Sequence, residues 1–300
     1  MSTVVALGGN ALMRPGERGT AAEQLANLRR AVTGLRSLLA SAGDLVITHG
    51  NGPQVGNELL RQERAAAEAP PLPLWLAVAQ TQAEIGALIA AELRPALDER
   101  EVACVLTHVI VGLDDPAFDR PTKPIGPFYS AEQAETLERE RGWKLVSDAD
   151  RGHRRVVPSP EPLEIVELEA IRTLVKAGTV TIACGGGGIP VARREGRLSG
   201  VDAVIDKDRA SALLARELEA ERLIILTEVP AVYRSFGDQD QEEIRELSRN
   251  HAEALLPQLS EGSMRPKIES ALGFAGETLI TSFDALEDAL AGRAGTRVRP

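Results

Sequence analysis

The sequence is short of lysine, of aromatic side chains and of cysteine, and each shortage excludes something. Only five of its 34 basic residues are lysine: Lys123, Lys144, Lys176, Lys207 and Lys267. A bias toward arginine has replaced lysine wherever either cation serves, so the lysines that remain are informative. Arginine offers a planar fork, whereas lysine is a compact point charge suited to a phosphate. Aromatic residues make up 3% of the chain, which leaves little to stack on bases, and the net charge of −10 argues against nucleic acid or an anionic membrane as partner. No run approaches about 18 consecutive apolar residues, so no membrane span is expected. The two cysteines, Cys104 and Cys184, lie in apolar strand-like stretches. They read as buried thiols of a reducing compartment rather than as a disulfide or a metal site. Residues 1–7 show neither the basic region nor the apolar run of a secretory leader, and a cytoplasmic location is expected.

What is present is strand–helix alternation. Strands are expected at 3–7, 44–48, 102–111, 179–184, 222–227 and 278–282. Helices are expected at 23–42, 54–67, 74–93, 162–176, 207–218, 241–256, 266–275 and 283–291. Short apolar strands between longer helices imply a mainly parallel sheet covered on both faces, with ligands beyond the carboxyl ends of its strands. Residues 112–160 break the rhythm with proline, aspartate and arginine and are too long for an ordinary loop. They read as an inserted lid within one domain spanning 1–300, with Phe118, Phe128, Tyr129 and Trp143 forming a small core of its own.

Glycines recur where strands end: Gly8-Gly9-Asn10, Gly50-Asn51-Gly52 and Gly185 to Gly188. Glycine there lets the backbone approach a ligand, and the following helix offers free N–H groups to an anion. The phosphate loop G-x-x-x-x-G-K-[ST], the dinucleotide fingerprint and the nucleophile elbow are all missing. Three of the five lysines lie in unusual contexts: Pro121-Thr122-Lys123-Pro124, Asp206-Lys207-Asp208 and Ser263-Met264-Arg265-Pro266-Lys267. The middle one opens a helix. Either aspartate could cap it, or Asp208 could orient Lys207 toward a transferring phosphoryl group.

Together these segments resemble carbamate kinases, within the amino acid kinase family. The resemblance runs through ALGGNAL (6–12), THGNGPQVG (48–56), PTKPIGPFY (121–129), RRVVPSPEP (154–162), CGGGGIPV (184–191), GVDAVIDKD (200–208), LTEVPAVY (226–233) and GSMRPK (262–267). It implies an open αβα sandwich around a mainly parallel sheet of about eight strands, a protruding subdomain and a homodimer. It also implies reversible phosphoryl transfer between ATP and carbamate, giving ADP and carbamoyl phosphate. Mg²⁺ would be held mainly by the ATP phosphates and water. By the same resemblance, Gly8, Gly9, Asn10, Gly50, Asn51 and Gly52 surround the acceptor. Lys207 and Lys267 neutralise the phosphoryl group, with Asp208 holding both. Gly186, Gly187, Thr227, Glu228, Tyr233, Met264, Arg265 and Pro266 lie near the nucleotide. Related kinases that form acyl phosphates carry a lysine two residues before the paired glycines. Ala6 stands there, and Lys123 is expected to replace that charge. Arg265 departs from a usual glycine, and Glu228 and Pro230 depart from the usual LTDVDAVY. Two other readings stay open: a kinase of this fold acting on another small carboxylate or phosphate, and a non-catalytic relative that binds nucleotide.

Overall fold

In the strand Thr3–Leu7, Val4 and Ala6 join one buried cluster while Val5 and Leu7 join another. Alternate side chains of a strand point to opposite faces, so a strand buried on both sides must lie between two apolar layers. The computed structural model describes residues 2–9, 12–14, 16–147, 152–238, 240–259, 264–274 and 276–299. Among them a central sheet of eight strands runs in the order Glu246–Ser248, Thr296–Arg299, Glu277–Ser282, Arg222–Thr227, Thr3–Leu7, Leu45–His49, Val180–Ile182, Val102–Cys104. Neighbours pair in parallel except Glu277–Ser282 with Thr296–Arg299.

On one face, helices Ala21–Ser41 and Leu74–Leu93 insert Leu28, Leu35, Ile85 and Ile89. On the other, helices Lys207–Glu217 and Met264–Phe274 insert Leu213, Leu214, Ile268 and Phe274. Each such side chain taken fully out of water contributes roughly 1.5–3 kcal/mol. Helix Leu74–Leu93 belongs to a stretch, the 23 residues Leu74–Ala96, that is long and apolar enough by composition to cross a membrane. In the fold its Ile85, Ile89 and Leu93 are core residues.

Several sequence expectations change. The apolar run 102–111 is two strands, Val102–Cys104 in the central sheet and His108–Val111 in a second, four-stranded one. Thr107 anchors the crossing, because its N–H donates to Gln82 Oε1 and its hydroxyl accepts from the Cys184 N–H. The stretch 162–176 begins as the strand Pro162–Ile165 before the helix Leu168–Lys176. The helix expected over 241–256 is confined to Arg249–Leu255, after the short strands Glu242–Ile244 and Glu246–Ser248. Cys184 is buried, but Cys104 is exposed because its strand is the sheet's edge.

Within 112–160 a separate three-stranded sheet forms from Lys123–Tyr129, His153–Val157 and Lys144–Ser147, with the helix Ala131–Arg141 beside it. Tyr129 and Trp143 meet edge to face at 6.4 Å, and Arg155 lies 4.2 Å over the Trp143 ring. Phe118, expected in this group, packs against the main core instead. Ile125 and Val157 share an apolar cluster with Val55 and Val78, so the small sheet rests on helices Gly52–Ala65 and Leu74–Leu93.

The contact is closest at two glycines. A Cβ placed on Gly56 would sit 1.9 Å from the Gly126 Cα, a separation only backbone movement relieves. Gly56→Ala is therefore expected to cost roughly 2 kcal/mol by overpacking. It should lower Tm and speed hydrogen exchange along Lys123–Tyr129. An unchanged Tm with unchanged exchange would contradict the contact.

Candidate active site

Strands Arg222–Thr227, Thr3–Leu7, Leu45–His49 and Val180–Ile182 are consecutive neighbours, so the turns at their carboxyl ends lie side by side. Gly8 packs against the Leu226 carbonyl, and a Cβ on Gly50 would sit 3.2 Å from the Lys207 side chain. Gly9 and Gly52 flank them, half-buried. Asn10 lies outside the described residues, as do Gly262 and Ser263 of the GSMRPK motif.

Into this rim projects the start of helix Lys207–Glu217. Asp206 caps it: Oδ1 accepts the backbone N–H of Asp208 at 2.8 Å and of Arg209 at 3.4 Å. The other oxygen, Oδ2, receives the Lys123 ammonium at 2.5 Å. Asp208, buried at the next turn position but one, takes Lys207 on Oδ1 and Lys267 on Oδ2, the latter at 3.0 Å. Three lysines far apart in sequence thus meet two carboxylates on one helical turn. The structure brings Lys207, Lys267, Asp208 and Lys123 together, and Asp206 serves both as cap and as the acceptor for Lys123.

The electrostatics follow from burial against pairing. Burial lowers the Lys207 ammonium below the ordinary lysine value, with Asp208 pulling the other way. For Lys267 burial also works against the charge, but Asp208 and Asp206 outweigh it and hold the group above its ordinary value. Burial would raise both aspartates, yet the lysines keep them below the carboxylate range: Lys123 foremost for Asp206, Lys207 and Lys267 for Asp208. The site is a cluster of charge in which each lysine ammonium is paired with an aspartate.

The nearest imidazole is unsuited to proton transfer. His49 is fully buried, and its Nδ1 lies 3.1 Å from the Gly50 carbonyl. Its Nε2 has no partner, and burial lowers its pKa to about 4. It is neutral at pH 7.

The remaining expected residues divide. Thr227 ends the strand Arg222–Thr227, Glu228 follows it, and the Glu228 carboxylate acts on Lys267. Tyr233 stands on the short strand Val232–Arg234 and stacks obliquely on Phe236 at 5.8 Å. Met264 and Pro266 open the helix that carries Lys267. The Arg265 Nε donates to Glu269 at 2.9 Å. Gly186 and Gly187 follow the strand Val180–Ile182: Gly186 has φ of 67° and is pressed against the Asn51 side chain, and Gly187 lies against the Ile205 carbonyl, just before Asp206.

Sequence reasoning missed the supports beneath the glycine turns. Asn51 donates to Thr81 Oγ1 at 3.0 Å, and Gln82 donates to the Gly185 carbonyl at 2.7 Å while accepting from Thr107. Both partners come from helix Leu74–Leu93, where two fully buried polar residues in so apolar a helix are the signal that could have marked them.

The family model described as the amino acid kinase family matches residues 1–281. A carbamate kinase of Staphylococcus haemolyticus is 46% identical over 99% of this chain and 98% of its own. Among solved structures, carbamate kinase from Giardia lamblia bound to citric acid superposes with a TM-score of 0.93 at 37% identity, covering 99% of this chain and 98% of that one. The same enzyme bound to AMP-PNP gives 0.90 at 36%, with the same coverage. With sequence and fold matched over nearly the whole length of both chains, this chain belongs to the amino acid kinase family, on its carbamate kinase branch.

Proposed function

We propose that the chain catalyses reversible phosphoryl transfer between ATP and carbamate, giving ADP and carbamoyl phosphate. The observation that carries this reading is Asp208 gathering Lys207 and Lys267 beside the glycine turns, in a chain akin to carbamate kinases. Carbamate is already an anion. Its oxygen attacks the γ-phosphorus, the bond from phosphorus to the ADP oxygen breaks, and no proton moves. Such a reaction needs positioning and charge neutralisation rather than a base, which suits a site where the one adjacent histidine is buried and neutral.

Gly8, Gly9, Asn10, Gly50, Asn51 and Gly52 are proposed to surround carbamate, with Gly186 packed against the Asn51 side chain. Gly186, Gly187, Thr227, Glu228, Tyr233, Met264, Arg265 and Pro266 are proposed to line the nucleotide, and a Giardia relative is described as bound to AMP-PNP. Lys207 and Lys267 neutralise the phosphoryl group in flight. Lys123 supplies the charge that buried Ala6 cannot. It arrives on residues 112–160, which we read as an inserted lid within a single domain. Among the described residues no group of three His, Cys, Asp or Glu converges as a metal cage. Magnesium is proposed to enter as part of the substrate, MgATP or MgADP. The free thiols suit a reducing cytoplasm.

We further infer a homodimer. Ala83, Ala87 and Ala91 line one exposed stripe of helix Leu74–Leu93, beside the edge strand Val102–Cys104 and an exposed Leu106. Light scattering should give twice the chain mass of 32.1 kDa. A monomer at micromolar concentration would contradict it.

Given carbamoyl phosphate and MgADP, the protein should form ATP. Lys207→Ala and Lys267→Ala should each lower kcat by about 10²–10³. Lys123→Ala should raise KM for carbamoyl phosphate more than for MgADP, and Lys144→Arg and Lys176→Arg should be silent. Because Lys207 titrates below ordinary lysine, activity should be full below its folded pKa and fall as pH rises through it. No ATP at any pH, or full activity in Lys207→Ala, would overturn the reading.

A further inference from the structure

We propose that Arg209 is a positioning residue that ties the foot of the 112–160 segment to the helix carrying Lys267, so that one guanidinium sets the acceptor-side and nucleotide-side lysines together. The proposal rests on the reading above for what those lysines do.

Arg209 stands in the first turn of helix Lys207–Glu217. A cation there opposes the helix dipole, which favours anions at that end, so some other interaction must hold it. It has two. One terminal nitrogen lies 3.1 Å from Glu161 Oε2, and the other donates to Glu269 Oε2 at 3.0 Å. The planar fork of arginine can serve two carboxylates at once, which a lysine ammonium does less well.

The two carboxylates belong to different parts of the site. Glu161 is the residue that immediately follows the segment's return leg, four positions after the strand His153–Val157, and its N–H donates at 2.9 Å to Oδ2 of Asp115 on the outgoing leg. The two legs are therefore joined where Arg209 grips them, at the base of the small sheet that delivers Lys123. Glu269 is two residues beyond Lys267 on helix Met264–Phe274, and its other oxygen takes Arg265. Arg265 is thereby drawn into the same chain of charges, running from Arg265 through Glu269 and Arg209 to Glu161 and Asp115.

The side chains of Arg209 and Glu269 are 30% and 28% exposed, and that of Glu161 is 58% exposed. Ion pairs of this exposure add little stability singly. Their consequence is geometric. A shift of the Lys267 helix moves Glu269, and through Arg209 it moves the foot of the segment carrying Lys123.

The test measures hydrogen exchange along Lys123–Tyr129 and His153–Val157 with and without MgADP, alongside kinetics, in the full chain. In the wild type, MgADP should slow exchange in this sheet. Arg209→Met should still bind MgADP with KM changed by less than about twofold, yet lose that slowing, with kcat lower on the order of tenfold, a usual size for coupling between sites. Glu161→Gln, which breaks only the branch to the segment, should reproduce both effects and serves if Arg209→Met does not fold. Arg209→Lys should restore part of the slowing. Wild-type exchange unaffected by MgADP, or an Arg209→Met that keeps both the slowing and kcat while only Tm falls, would overturn the proposal. A wild type that shows the slowing but makes no ATP from carbamoyl phosphate would sink the kinase reading and leave the coupling standing.

Discussion

The arrangement depends on a buried carboxylate, Asp208, lying between two ammonium groups that are themselves nearly buried. Removing such ions from water costs several kcal/mol each, and only their mutual pairing and further hydrogen bonds offset it. Lys207 and Lys267 come from segments 60 residues apart, so the pairing also fixes how helix Lys207–Glu217 meets helix Met264–Phe274. The charge we propose for phosphoryl transfer and the contact that holds two helices together are the same interaction.

Asp206 extends the logic by one residue. With one oxygen it caps the helix, and with the other it holds Lys123 at 2.5 Å. The first helical turn from Asp206 to Arg209 therefore touches every part of the site. Asp206 meets the small sheet, Lys207 and Asp208 the centre, and Arg209 both the foot of the inserted segment and the Lys267 helix. The close contact of Gly56 with Gly126 seats the small sheet so that Lys123 can reach its aspartate. Beneath the rim, Thr81 and Gln82 keep the Asn51 and Gly185 turns from collapsing into the core.

Much of this was legible in the chain itself. Short continuous apolar runs and strand-terminal glycines marked the central strands, and the scarcity of lysine singled out Lys123, Lys207 and Lys267. What escaped were contacts that local sequence does not encode. Lys123 and Asp206 are 83 positions apart, and Glu161, Arg209 and Glu269 are ordinary surface charges until folding brings them together. The run 102–111 carries no turn residue, so only the long-range bonds of Thr107 reveal that it divides between two sheets. The stretch 241–256 has helical spacing, but its first half pairs as strands, where tertiary pairing overrides propensity.

The central claim is that one carboxylate organises the catalytic charge. Asp208→Asn keeps the shape and removes the negative charge, leaving two buried ammonium groups facing each other with only Asp206, already paired with Lys123, to offset them. The decisive measurement is kcat for ATP formation from carbamoyl phosphate and MgADP in this variant. The account predicts a fall at least as large as that caused by removing either lysine alone. An Asp208→Asn enzyme within a few-fold of the wild type would contradict it.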